Sequence, residues 1–344
     1  TQIQQGAQGL SFGLMYAPSG FSEIEEMIAL ASIVKKYHGI VASHIRSYSG
    51  DLFDAINEFI HVLKSSHAKG LLSHLQVAGS PYFGSMDKAI KLIEQARHDG
   101  VDIVFDMYPY KAGSSSILFL LPPSVQENGI ENLIECLGNK INLEDLKRKT
   151  ESEGEAGWES KIKLIGWQNV VICSVTCEKL KCFEGKSIAD AANHLNISAF
   201  DFTMKIIKED KGTSCIIMFQ QSDQDQLAVH QSRLQMVGSD GIPRQSGKPH
   251  PRQYGTFPKV IGRFAMNDKL IPLEEIIRRC TSLPATRFNI HNRGIIAEGM
   301  IADLALFSHD FIDKATYQQP NVFPTGLIGS WIKGIRVVNN GKFT

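Results

Sequence analysis

The chain has 344 residues, 43% hydrophobic and 21% charged, which is ordinary for a folded soluble protein with a sizeable core. Lys+Arg and Asp+Glu are both 36, so the formal charge is zero, which argues against nucleic acid or an anionic membrane and leaves a small neutral or locally charged molecule as the expected partner. Thr1 to Gln8 is polar and no apolar run approaches membrane-spanning length, so no leader and no span are read; the opening Thr in place of Met is expected of a cleaved or truncated product.

Gly9 to Tyr16 is a short apolar run ended by Pro18 and Gly20, and Phe21 to Tyr37 places Ile24, Met27, Ile28, Leu30, Ala31 and Val34 at helical spacing. Ile40 to His44 reads as a strand, followed by a helix through Leu52, Ile56, Phe59 and Leu63. Leu71 to Leu75 is the next strand, Met86 to Arg97 the next helix and Val101 to Met107 the fourth strand. Continuous apolar strands separated by helices predict parallel β/α units, hence a doubly wound sheet or a barrel. From Tyr108 to Leu234 the rhythm breaks: Gly113 to Ser116 reads as a flexible stretch, and helices are expected at Leu143 to Lys149, Ile188 to Leu195 and Ala199 to Lys208. This tract, about 111–234, reads as an insertion that includes a lid within Gly113 to Glu159. The strand rhythm resumes at Gln235 to Asp240. After a helix at Leu273 to Cys280, strands are expected at Gly294 to Gly299 and Ala302 to Phe307, with a hairpin around Trp331 to Val338 and the turn Asn339-Asn340-Gly341. The expected division is an α/β part over 1–285 and a small β module over 286–344.

Of the six cysteines, Cys173, Cys177 and Cys182 crowd together, but C-x3-C-x4-C has no fourth ligand nearby to close a zinc site, and Cys173 sits in an apolar run as a small buried thiol. Reduced thiols in a chain of this size favour the cytoplasm.

His44, His74 and Asp240 stand at the C-terminal ends of predicted parallel strands, where α/β barrels build their active sites. Two imidazoles are suitable ligands for zinc or a similar divalent ion, and an aspartate beside them can take a proton from activated water. Any one of these residues alone reads as a structural residue; the equivalent placement of all three carries the argument.

Longer motifs narrow the reading. Ala42-Ser43-His44-Ile45-Arg46, Leu72-Ser73-His74-Leu75, Asp106-Met107-Tyr108-Pro109-Tyr110, Gly238-Ser239-Asp240-Gly241 and His250-Pro251-Arg252 with Tyr254 to Pro258 together resemble the motif series of the N-acyl-D-amino-acid deacylases (D-aminoacylases), a family of metal-dependent amidohydrolases. Arg293 to Leu304 is similar to the tail signature of that superfamily. The resemblance implies a (β/α)8 TIM barrel with a small C-terminal β-sandwich portion, hydrolysing the amide of N-acyl-D-amino acids. Carried over, it makes His44 and His74 metal ligands and Asp240 the general base, then general acid. Tyr108, Ser114 and Arg252 become substrate-binding residues, Arg252 as a bidentate partner for a carboxylate. Arg46 is open between a site role and a role in organising carboxylates.

Two departures follow. None of the eleven histidines stands two residues from another, so the family's H-x-H pair is absent; no cysteine precedes His44 to bridge a metal. If Gly9 to Tyr16 is the fourth barrel strand, the first three are missing from this chain, and the polypeptide alone is expected to bind metal weakly and turn over little. The second departure is Gln76, where the family has a lysine that helps hold the substrate's carboxylate; Gln76 keeps a donor and loses the charge. The competing readings are another amidohydrolase reaction, such as cyclic-amide hydrolysis or deamination, and a non-catalytic remnant that keeps the fold.

Overall fold

The structure, a computed structural model, describes residues 2–139, 143–244 and 246–344. Its first hundred residues build β1 (Gly9–Gly13), α1 (Ile24–Lys36), β2 (Ile40–His44), α2 (Leu52–Ser66), β3 (Lys69–Leu72), α3 (Met86–His98) and β4 (Ile103–Met107). In α2, the spacing that suggested a helix turns Leu52, Ala55, Ile56, Phe59, Val62 and Leu63 onto one buried face. Glu25 and Glu26 in the first turn of α1, with Lys35 and Lys36 in its last, complement the helix dipole.

All four strands pair in parallel and in sequence order, and a fifth parallel strand pairs with β4: the five-stranded sheet runs β1-β2-β3-β4-β8, with β8 at Gln235–Val237. Among the described residues, β1 and β8 each have one neighbour, so the sheet stays open at both edges. Its main core joins Phe12, Val41, Phe59, Leu72, Ile93 and Phe105.

The inserted tract has a core of its own. The Gly-Ser stretch expected to be flexible is a strand, β5 (Ala112–Ser116), because its backbone pairs antiparallel with β7 (Cys215–Phe219), which also pairs with β6 (Val170–Ser174). Alternation is hidden there by small residues on β5 and by buried apolar runs on β6 and β7. Helices occur at Leu143–Arg148, Ile188–His194 and Ala199–Glu209 as expected, and a second hydrophobic cluster gathers Leu120, Leu146, Ile172, Phe202, Ile206 and Met218. The expected lid tract spans residues 140–142, which lie outside the described residues.

The tail forms one antiparallel sheet of β9 (Leu304–Ile312), β10 (Thr325–Ile332), β11 (Ile335–Asn339) and β12 (Lys342–Phe343) in the order 12-11-10-9. The strand expected at Gly294 to Gly299 is absent: Gly294 and Gly299 take positive φ, and Ile296 is 91% exposed. Tyr110 Oη donates to Asp313 Oδ2 at 3.0 Å and ties the tail to the parallel sheet. Among the described residues, no helix is long and apolar enough to cross a membrane.

Candidate active site

His44 is the last residue of β2; His74 lies two residues beyond β3. His44 Nδ1 and His74 Nε2 face one another at 3.1 Å, one nitrogen donating and the other accepting. Burial pushes both imidazoles below their ordinary pKa, so both are neutral near pH 7. His74 holds a left-handed backbone, φ +37°, and Asp106 Oδ1 accepts its backbone N–H at 2.6 Å. Tyr48 packs edge-on to both rings, and its hydroxyl donates to the Ser73 carbonyl at 2.9 Å.

Two nitrogens bound to one tetrahedral zinc at the usual 2.0–2.1 Å stand about 3.3 Å apart. The 3.1 Å between the facing nitrogens is close to that bite, so the pair fits a borderline divalent ion as a two-nitrogen donor set. The outer nitrogens, His44 Nε2 and His74 Nδ1, are buried without hydrogen-bond partners among the described residues. Among the described residues, no group of three or more His, Cys, Asp or Glu side chains gathers where it could hold a metal.

Asp240 lies three residues beyond β8 and is also left-handed, φ +46°. Its Oδ2 meets Arg252 Nη2 at 2.8 Å; the arginine side chain is only 2% exposed, whereas Asp240 is 40% exposed. The guanidinium sits 4.6 Å from the centre of the Tyr108 ring, and its Nε and Nη1 have no partner among the described residues. The His-Pro-Arg motif explains the position of Arg252: His250 Nε2–H donates to the Ala112 carbonyl at 2.9 Å, and Nδ1 accepts the Arg252 backbone N–H at 3.0 Å. Gly238 passes so close to Asp106 that an added Cβ would lie 3.0 Å from its carboxyl carbon.

These side chains line one cavity of about 340 Å³, together with Tyr108, Gln76, Ser114, Tyr16, Phe119, Lys161 and Gln220. All seven residues singled out in the sequence therefore meet at one place. Tyr108 is buried, which pushes its phenol pKa up. Ser114, on β5, has its Oγ 3.2 Å from Cys215 Sγ. Gln76 Oε1 accepts from Gln220 Nε2 and Gln221 Nε2 at 3.0 and 2.9 Å. Arg46 is not among the lining residues: it pairs with Glu58 at 2.8 Å and donates to the carbonyls of Gly20 and Ser22. The reading missed Tyr16, Tyr48, Lys161 and Gln220; Tyr48, four residues after His44, had a signal in its nearness to the motif, and Lys161 and Gln220 had none.

Comparison with known proteins bears out the resemblance. A model of the amidohydrolase family matches residues 230–338. A D-aminoacylase of Alcaligenes xylosoxydans xylosoxydans is 27% identical over 343 residues, 99% of this chain and 60% of the relative. A crystal structure of D-aminoacylase superposes with a TM-score of 0.79 at 24% identity, covering 99% of this chain and 62% of that one. An N-acyl-D-glutamate deacylase of Bordetella bronchiseptica, crystallised with zinc and a phosphonate mimic of the tetrahedral intermediate, gives 0.78 at 23% identity over 98% and 62%. The chain thus shares the fold of the D-aminoacylase structures over almost its whole length. It spans about 60% of the length of the curated relatives it matches.

Proposed function

We propose that this chain carries the strand-end chemistry of a metal-dependent deacylase, hydrolysing N-acyl-D-amino acids to a carboxylate and a D-amino acid. The observation that carries the reading is the buried guanidinium of Arg252, with Nε and Nη1 unpartnered, in one cavity with the facing histidines and Asp240. A buried guanidinium with unused N–H donors favours an anion, and the α-carboxylate of an N-acyl amino acid supplies one.

His44 and His74 would hold a divalent ion such as zinc, which when bound supplies polarisation of the amide carbonyl and acidification of water. Asp240 accepts the proton of the attacking water and returns it to the leaving amine; Arg252 fixes one of its oxygens for both transfers. Tyr108 stacks on Arg252 and keeps the carboxylate subsite dry, while Ser114 and Gln76 offer hydrogen bonds to the substrate. The same reading divides the chain into a barrel part over 1–285, with the inserted tract and its lid, and a β portion over 286–344. Six unpaired thiols support a cytoplasmic setting.

The test uses the full-length natural polypeptide: zinc by elemental analysis, and hydrolysis of an N-acetyl-D-amino-acid panel beside cyclic amides. His44→Asn and His74→Asn are expected to lose zinc. Asp240→Asn is expected to keep zinc and to lose at least 100-fold in kcat, the scale of a lost general base. Hydrolysis of cyclic amides alone, or a folded protein that takes up no zinc, overturns the reading.

A further inference from the structure

Behind Ser114 the inserted sheet brings together two cysteines that no role above uses. Ile172 of β6 pairs with Ile216 of β7 and Ser174 with Cys215, and the irregularity between them sets Cys173 and Ser174 both opposite Cys215. Facing residues of antiparallel strands stand about 4.5–5.5 Å apart, inside the span of a disulfide. Both cysteines are buried free thiols, in one small cluster with Ala112 and Ile217. The Cys173 S–H donates to the Cys215 sulfur. Cys215 Sγ is also 3.2 Å from Ser114 Oγ.

The pair borders a hollow of about 10 Å³, on the scale of one water molecule, lined by Ser114, Cys173, Ile242, Arg244, His250 and Arg252. Ser114, Ile242 and Arg252 also line the active-site cavity, so they form the partition between the two. Arg244 Nη1 donates to Ser174 Oγ at 3.2 Å, and its Nε is buried with no partner among the described residues. The hydrogen bond from Cys173 holds the Cys215 thiol below its ordinary pKa against the opposing effect of burial, and Ser114 and both guanidiniums add to it. The same hydrogen bond holds the Cys173 thiol above its own. A sulfur with thiolate character beside a partner that keeps its proton is the pairing of an attacking and a resolving thiol.

We propose that Cys173 and Cys215 form a reversible oxidation site for a small hydroperoxide such as hydrogen peroxide, and that its state is felt by Ser114. The Cys215 thiolate attacks one peroxide oxygen; the O–O bond breaks, the second oxygen leaves as hydroxide, and Cys215 becomes the sulfenic acid. The Cys173 sulfur then attacks the Cys215 sulfur, the S–O bond breaks, and the departing hydroxide takes the Cys173 proton. With the proton that Cys215 gave up, two thiols and one peroxide become one disulfide and two waters. A disulfide sulfur carries no charge and accepts hydrogen bonds poorly, so the Ser114 hydroxyl is freed for the active-site cavity and Arg252 loses a neighbouring anion. In a reducing compartment the pair rests as the dithiol, and a dithiol reductant returns it there.

The test treats the full-length natural polypeptide with hydrogen peroxide, blocks the remaining thiols in denaturant and maps the peptides by mass spectrometry. A Cys173–Cys215 cross-link is expected, and dithiothreitol is expected to reverse it. Glutathione disulfide, far larger than the hollow, is expected to modify exposed Cys182 and to leave Cys173 and Cys215 as thiols. Cys173→Ala, or Cys173→Ser if the alanine variant does not fold, is expected to abolish the cross-link and to leave the KM of the untreated protein unchanged. With N-acetyl-D-leucine as substrate, the cross-linked protein is expected to show a KM lower by about 2- to 10-fold at unchanged kcat, the scale of one released hydrogen bond. No cross-link in the folded, peroxide-treated protein, or glutathione attached to Cys215, overturns the inference. A cross-link with unaltered KM overturns the coupling to Ser114. The cross-link is read by mass and is independent of the deacylase reading; only the KM measurement rests on it, and absence of any hydrolysis overturns that reading and the coupling together.

Discussion

At Gly238 the main chain runs against the buried carboxyl of Asp106, and Asp106 in turn holds the backbone of His74. An added Cβ at Gly238 would lie 3.0–3.2 Å from the carboxyl atoms of Asp106, so the contact is sensitive to any added bulk. Gly238→Ala is expected to cost about 1–3 kcal/mol of stability by overpacking. It is also expected to weaken zinc binding by tilting His74; denaturant unfolding and zinc titration check the two effects, and unaltered zinc affinity would show that Asp106 does not orient that ring. The motifs D-x-Y-P-Y and G-S-D-G made both residues visible in the sequence, but not their contact, because period and composition carry no register between distant strands. Arg46 marks the same limit. Its place beside His44 pointed towards the site, whereas its side chain is spent on Glu58 and two loop carbonyls.

At the scale of elements, the helix Leu273–Cys280 sets β8, and so the approach to Asp240. Arg279, only 2% exposed, reaches from that helix to the His230 carbonyl and Gln235 Oε1, and Glu275 Oε1 accepts from its Nε at 2.8 Å. Hydrogen bonds from Arg278 and Arg279 draw the Glu275 carboxyl from its usual 4.5 down to about 2. A depressed folded-state pKa means stability that is full above about 4.5 and is lost as pH falls towards about 2. Glu275→Gln is therefore expected to cost about 1–3 kcal/mol at pH 7 and progressively less below pH 4.5. Unfolding curves of variant and parent across that range check this, and a pH-independent difference would exclude the ionised pairing. Helices were the most legible elements, because one buried face repeats every third or fourth residue, as in α2. The failures were on strands: β5 is made of Ala, Gly and Ser and gave no apolar signal, and the run at Gly294 to Gly299 has, among the described residues, no partner strand to bury it.

At the scale of the molecule, parallel β/α order was legible because strands buried on both faces leave continuous apolar runs. The second core was not, since nothing in the inserted tract announces that β6 and β7 pair with β5. That core has a consequence for how the protein comes apart. The cavity is walled on one side by His44, His74 and Tyr108 from the parallel sheet and on the other by Phe119, Leu164 and Met218 from the insertion. A molecule seated between them acts as mortar: each core can then loosen only by also giving up the ligand. Scanning calorimetry is expected to resolve two heat-absorption transitions for the empty protein. A saturating N-acyl-D-amino acid is expected to fuse them into one, at higher temperature, whereas two transitions that persist at saturation would mean the ligand grips a single wall.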